Sequence, residues 1–436
     1  MKTLLLTHAT ILPMTASDDA IRTITGAVGI IDNRISLLTG HAATVEAFRA
    51  AHPDLREIDC SGKVLMPGLI NTHCHVPMTL QRSYADDIPL MKWLYDYIWP
   101  FEAKQTSEDI QLGAELGIVE MLLGGVTSFV DMYWAEAAIA DVAERMGIRA
   151  LLCSSCLDAN MEVFEADLAA LVAKTKQSRR IRAGVAPHAG YTVSATNLKR
   201  CAELCRQYDI RMTTHIAETL DETQIIGEKM EMSPVAYMDS LGLLNDHLIA
   251  AHCVHVSAED CQILHDRGVH VAHNPSSNMK ISSGIAPLEA MRLQGVSCTI
   301  GTDGTCSNND LDMWEEMRNA SFLQKVSTMD PLAVPAYEIL KMATVNGAQA
   351  LGYGDELGVI REGALADLIL IDMQKPHLCP VHDLVSNLLY CAKAADVDTV
   401  IVDGEILVEG RRVVGVDLPA LFAKVQRVAT AIPKRH

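Results

Sequence analysis

The sequence predicts an α/β fold: an (α/β)8 TIM-type barrel with a small β-sandwich domain formed from both termini. Three observations point there. Short apolar runs alternate with amphipathic helical stretches from about Lys63 onward, eight such runs can be counted, and strand-rich pieces bracket them at both ends. Regular alternation argues a parallel sheet wrapped by helices, and a count of eight favours a closed barrel over an open sheet.

Taken in order, residues 1–62 read as short strands and turns and form the N-terminal part of the β-sandwich domain. LLLTHATILPM is a first strand rather than a signal peptide, because no small-residue cleavage site follows its apolar run. AVGIIDNRISLLTG is a strand pair with Asp32-Asn33 as its turn. Residues 63–355 form the barrel. Its strands are VLMPGLINTH, VTSFVDMY, IRALLCSS, RAGVAPH, IRMTTHIAE, LIAAHCVH, VHVAHNP and VSCTIGTDG, with helical stretches such as GAELGIVEMLLGG and NLKRCAELCRQYD between them. No Gly-rich phosphate fingerprint follows the first barrel strand, which weighs against a dinucleotide fold. Residues 356–436 return to strands, LADLILID, TVIVDGEIL and RRVVG, with Asp403-Gly404 as a hairpin turn and LPALFAKVQRVATAI as a last helix. They complete the β-sandwich domain.

Charge narrows the partners. Lys and Arg number 36 against 55 Asp and Glu, a net charge of -19. Such a surface repels phosphate backbones and anionic membranes, so neither a nucleic-acid polymer nor a membrane is an expected partner. A free nucleoside is compatible, since a pocket can differ from the mean surface. No run approaches ~18 apolar residues, so no membrane span is expected. The 12 Cys are too sparse for a disulfide framework. Reduced core thiols, and with them a cytoplasmic protein, are the expectation.

The chemistry gathers at strand ends. In Asn71-Thr72-His73-Cys74-His75, side chains two apart on a strand point to one side, so His73 and His75 can meet one metal ion. Chance alone predicts roughly half a His-x-His pair in such a chain; position makes this one telling, because barrel active sites sit at strand C-terminal ends. His215 closes RMTTH, Glu218 follows three residues on, His252 closes LIAAH and Asp303 closes CTIGTD. Imidazoles and a carboxylate converging on one mouth suit zinc, and iron accepts the same set.

Other polar candidates have plainer readings. Cys153-Ser154-Ser155-Cys156 has a redox-like spacing but lies in a strand, and Cys201 and Cys205 share one helix face. The Pro-Cys-x-x-Cys of one class of zinc site is absent. His255, His270 and His273 read as supporting or structural groups, and His377 and His382 as surface groups. Trp93 and Trp99 suit a pocket wall or a packed helix equally.

Several stretches carry a family resemblance: PGLINTHCHVPMTLQRSYADDIPLMKWLYDYIWPFE, GVTSFVDMY, APHAGYT, THIAETLDE, AHCVH, HNPSSNMKISSG and GTDGTCSNNDLDMWEEM. Nearly end to end, the chain resembles the amidohydrolase superfamily, and within it the methylthioadenosine/S-adenosylhomocysteine deaminase group. The resemblance implies metal ligation by His73, His75, His215 and Asp303. It makes Glu218 a proton shuttle that also touches substrate, and His252 the group polarising the attacking water or holding the oxyanion. Asp303 would also accept the water proton. It implies substrate contacts from Glu102 (on ribose hydroxyls), His188 and Ser307. No strand-four Lys of a bridging motif is present, which implies one Zn2+ per subunit rather than two metals.

The expected function is metal-dependent hydrolytic deamination of adenine nucleosides (5′-methylthioadenosine, 5′-deoxyadenosine, adenosine and S-adenosylhomocysteine), giving an inosine-type product and ammonia. The alternative is another amidohydrolase reaction on a purine or triazine ring, of the guanine deaminase or chlorohydrolase type. Glu102 discriminates, because a ribose-binding carboxylate has no obvious use with a bare ring. A barrel serving assembly alone would show a broken metal set, and this one is intact. A homo-oligomer would suit a soluble enzyme, though no segment signals one. In group members that accept S-adenosylhomocysteine, an Arg often follows the third barrel strand; here Ser154 is the nearest match and DANMEVFEADL downstream is acidic. This implies a preference for uncharged 5′ groups unless Arg179 or Arg180 reaches in from the next loop.

Overall fold

The computed structural model describes residues 2–15 and 23–435. The N-terminal piece supplies β1 (Thr3–Ile11), β2 (Ile24–Ile31), β3 (Arg34–Thr39), β4 (Arg56–Asp59) and β5 (Lys63–Pro67). The turn between β2 and β3 falls at Asp32-Asn33, with Asp32 at φ 54°. Asp tolerates this left-handed backbone because its short side chain can bond locally.

Eight parallel strands follow: β6 (Leu69–Cys74), β7 (Val126–Tyr133), β8 (Arg149–Cys156), β9 (Ile181–Pro187), β10 (Arg211–Ile216), β11 (Leu248–His252), β12 (His270–His273) and β13 (Ser297–Ile300). Each pairs with the next in sequence order. The barrel closes between β13 and β6. There the Thr302 and Asp303 N–H groups donate to the His73 carbonyl at 3.1 and 2.9 Å, and the Thr72 hydroxyl donates to the Ile300 carbonyl at 2.9 Å. Every residue of β7 and β8 is buried, as expected of strands covered on one face by helices and on the other by barrel interior. The outer helices carry clear start signals; at 107–123, Thr106 and Asp109 form a reciprocal capping box.

The C-terminal piece adds β14 (Leu368–Asp372), β15 (Val397–Val402), β16 (Glu405–Glu409) and β17 (Arg412–Val413). β14 lies antiparallel to β5, so both termini build one mixed sheet in the order β17-β16-β15-β14-β5-β1-β2-β3, with β4 on β1. Leu6, Ile11, Val28, Leu65, Leu370 and Ile401 share its core. Asp403 and Gly404, at φ 52° and 77°, turn β15 into β16. The strand Lys63–Pro67, read from sequence as the start of the barrel, pairs in this sheet instead. VLMPGLI is apolar throughout, so periodicity offers no break; the crossover is at Gly68, where a Cβ would come within 2.1 Å of the Thr127 side chain. Only glycine lets the chain pass that close.

A buried ionic cluster ties the barrel to the terminal sheet. Arg149, first in β8, donates from Nε and Nη2 to Asp367 at 2.8 and 3.0 Å and from Nη2 to Asp403 at 3.3 Å. All three side chains are 1% exposed. Arg149→Met would leave buried Asp367 without its cation and Asp403 with Arg179, and we expect a loss of about 3–5 kcal/mol in urea unfolding; a loss below ~1 kcal/mol would show that the cluster is not a structural tie. No helix among the described residues is long and apolar enough to cross a membrane. All twelve cysteines are free thiols.

Candidate active site

The C-terminal ends of β6, β10, β11 and β13 deliver their polar side chains to one point. The His73 and His75 rings lie 4.9 Å apart, and His215 lies 5.0 Å from His73 and 5.5 Å from His75. Asp303 Oδ1 is 3.1 Å from His75 Nε2 and 3.5 Å from His73 Nε2. His75 Nδ1 donates to the Met132 carbonyl at 2.6 Å and His215 Nδ1 to the His188 carbonyl at 2.8 Å. Each bond fixes the ring and turns Nε2 toward the centre. His73 is fully buried, yet neither ring nitrogen has a hydrogen-bond partner. A buried polar group without a partner is costly, and a ligated metal would remove that cost.

Electrostatics favour the same reading. Burial lowers His73 to about 4 and His215 well below its usual value, so both are neutral donors. Burial opposes ionisation of Asp303, but the facing His73 and His75 imidazoles outweigh it and hold the carboxyl well below the usual range. His75 is pushed down by burial but held up to about 9 by that carboxylate. The buried anion thus draws positive charge to this spot. One donor atom from each of His73, His75 and His215 falls within 4.8 Å of the others, as do donors from His73, His252 and Asp303. The set fits a divalent metal ion.

Backbone strain holds some of these groups. Asp303 sits at φ 62° and His252 at φ 76°, conformations that cost non-glycine residues roughly 1–3 kcal/mol and cluster at functional sites. Asp303 Oδ2 accepts from Ser277 at 2.6 Å and Ser307 at 2.9 Å, and Oδ1 accepts from the Gly304 N–H at 2.8 Å. His252 Nδ1 lies 2.9 Å from Asn278 Oδ1, and its Nε2 faces Glu218 at 3.9 Å and Asp303 at 4.0 Å.

Glu218 follows β10, with Ala217 at φ 53°. The N–H groups of Ala217 and Glu218 donate to the Glu222 carboxylate at 3.1 and 2.8 Å, bracing the bend. Burial raises the Glu218 carboxyl above the usual range, suiting it to hold a proton. Glu102 ends the short helix Trp99–Glu102. Burial raises it too; Trp134 Nε1 donates to its Oε2 at 3.4 Å, while Oε1 is buried without a partner. His188 follows β9, and burial lowers it to about 4. A cleft of about 720 Å³ joins His75, His215, Glu218, His252, Asp303, Glu102, His188 and Ser307. His73 lies beneath it.

Both tryptophans left open by the sequence line this cleft, and Trp93 also donates to the Ala85 carbonyl. Ser155, not Ser154, faces it: the Ser154 hydroxyl donates to Asp167 at 2.7 Å. His255 and His270 bond elsewhere, at Ser283 and Ser297. Glu222, Ser277, Asn278 and Trp134 also support the site, none of them marked by a sequence motif for metal or substrate. Glu222 alone carried a local signal, three residues after Thr219 at a helix start, where the pattern reads as a cap.

Comparison with known proteins places this geometry in a lineage. The model of the Amidohydrolase family matches residues 64–407. A 5-methylthioadenosine/S-adenosylhomocysteine deaminase of Desulforamulus reducens is 42% identical over 437 residues, 99% of each chain. One of Syntrophomonas wolfei is 45% identical over 377 residues, 85% of this chain and 88% of that one. The crystal structure of an adenosine deaminase from Xanthomonas campestris with bound zinc superposes with a TM-score of 0.92 at 34% identity, covering 99% of both chains. Atrazine chlorohydrolase TrzN from Arthrobacter aurescens, complexed with zinc, reaches a TM-score of 0.88 at 23% identity over 98% of this chain and 100% of that one, and shares the fold. The chain belongs to the amidohydrolase family and, within it, to the methylthioadenosine/S-adenosylhomocysteine deaminase group.

Proposed function

We propose that the protein hydrolytically deaminates adenine nucleosides, releasing ammonia and an inosine-type nucleoside, with one zinc ion per subunit held by His73, His75, His215 and Asp303. The observation that carries this reading is the meeting of that donor set with Glu218, His252 and Glu102 in one cleft. When bound, a divalent cation supplies Lewis acidity that makes water reactive near neutrality. The protein's own groups do the rest. Glu218, biased toward its acid form by burial, gives a proton to the ring nitrogen beside C6, takes up the hydroxyl proton of the tetrahedral adduct to pass to the departing ammonia, and is restored as an acid by the water proton that Asp303 holds. Asp303 takes the proton of the attacking water. His252 faces the forming tetrahedral carbon, where charge stabilisation counts most. Ser307 lines the cleft, and its present bond to Asp303 gives it a role in orienting that carboxylate as well as in touching substrate.

Glu102 separates this from a reaction on a bare ring. Its unpartnered buried oxygen calls for a donor such as a ribose hydroxyl. Glu102→Ala should cut kcat/KM for adenosine about 10–100-fold and change that for 2′,3′-dideoxyadenosine little. Equal losses for both would remove the ribose role.

The 5′ end of the substrate is the finer question. Among the described residues no Lys or Arg lines the cleft, whereas Trp93, Leu94, Ile98 and Trp99 do. Arg179 pairs with Asp403 at 3.3 Å and Arg180 with Glu144 at 2.6 Å, both away from the cleft. A carboxylate there would lack its natural bidentate partner. We expect methylthioadenosine, 5′-deoxyadenosine and adenosine to exceed S-adenosylhomocysteine in kcat/KM by at least ~10-fold. A value for S-adenosylhomocysteine equal to the others would overturn this preference while leaving the deaminase reading intact.

A further inference from the structure

At the opposite end of the barrel, two arginines share one groove. Arg211 opens β10 and Arg182 is second in β9, so both emerge at the N-terminal face, away from the catalytic cleft. Arg182 Nη1 donates to the Leu351 and Gly352 carbonyls at 2.9 and 3.0 Å, and its guanidinium lies 3.6 Å over the Tyr353 ring. Arg211 Nη1 donates to the Asp246 carbonyl at 2.8 Å, and its guanidinium packs on Gly352, where a Cβ would come within 2.6 Å.

Neither arginine has a carboxylate within ion-pair distance among the described residues, although Asp209 lines the groove and Asp246 is near Arg211. Arg149, which also faces Tyr353 at 5.0 Å, is by contrast neutralised by two aspartates. Burial pushes the Arg211 guanidinium below its usual value; the charge of Asp246 opposes this and that of Arg182 adds to it. Lys176 and His247 line the same groove, whose volume is about 1070 Å³. In a chain of net charge -19, most arginines would be expected to find an acid. Arg211, half-buried beside the exposed Arg182 and with no carboxylate at ion-pair distance among the described residues, leaves two guanidinium groups on one groove that an anionic ligand can meet.

We propose that this groove is a second binding site, for a small molecule bearing an oxyanion, phosphate or carboxylate, held by Arg182 and Arg211 with Lys176 at the rim. Guanidinium forks suit either group. The groove lies on the opposite face from the deaminase cleft and does not depend on that cleft's chemistry.

The test is titration calorimetry of the full-length, metal-loaded protein with inorganic phosphate and, separately, with citrate, at constant ionic strength set with NaCl. Saturable binding of either supports the site, and which one saturates names the group. The double variant R182Q/R211Q should weaken that binding at least ~10-fold while leaving nucleoside turnover unchanged. Because Arg182 also packs on Tyr353, Lys176→Glu, an exposed change, serves as a second variant and should weaken binding in the same direction. An anion bound at the catalytic centre would survive both changes, so retained affinity in the variants overturns the proposal. So does the absence of saturable binding to the wild-type protein.

Discussion

Glu218→Gln should retain a full complement of metal and lower kcat by at least ~10²-fold. Glutamine keeps the size and the hydrogen-bonding reach of the side chain, and the brace from Glu222 to the Ala217 and Glu218 N–H groups is untouched. What it removes is the exchangeable proton. In the wild-type protein burial raises the Glu218 carboxyl, so the acid form is populated to higher pH than in an exposed glutamate. Raising pH through that raised value should therefore deplete the acid form and reduce activity on the alkaline side. The variant should lack that limb. Metal analysis beside pH-dependent kinetics checks both halves. A near-normal rate with metal intact would assign proton transfer to another group.

His73→Ala should remove the metal and, with it, turnover, a loss of at least about 10³-fold given that a Lewis acid is worth several kcal/mol of barrier. His73 is the most committed of the four proposed ligands. It is wholly buried, and neither nitrogen bonds to protein. His75 and His215 each spend one nitrogen on a carbonyl, which keeps their rings in place whether or not the other nitrogen is engaged. Alanine at 73 leaves a polar void facing Asp303. Stoichiometric metal in the purified variant would exclude His73 as a ligand.

The strand alternation made the barrel legible, because each strand is short, apolar and followed by an amphipathic helix. The candidate residues were legible for a related reason: a barrel puts strand ends at one mouth, so His73, His75, His215, His252 and Asp303 could be grouped by position alone. The strand Lys63–Pro67 was harder to place, since an apolar run buried on either side of Gly68 has no periodicity to mark the change of sheet. Contacts between distant segments left little trace. Trp134 meets Glu102 across 32 positions, and Asn278 meets His252 across 26; no local spacing encodes either. Ser154 and Ser155 differ only in which face of β8 they occupy, and a one-residue slip exchanges wall for core.

In the proposed reaction the metal centre and Glu218 act together on an adenine nucleoside. Ammonia release from methylthioadenosine, 5′-deoxyadenosine, adenosine and S-adenosylhomocysteine, with guanine and a triazine as bare-ring controls, tests it directly when each run is paired with metal analysis of the same sample. The adenine nucleosides should release ammonia, the protein should carry about one metal ion per chain, and the bare rings should not turn over. Turnover of a bare ring in preference to every nucleoside, or nucleoside deamination by protein stripped of metal, would contradict it.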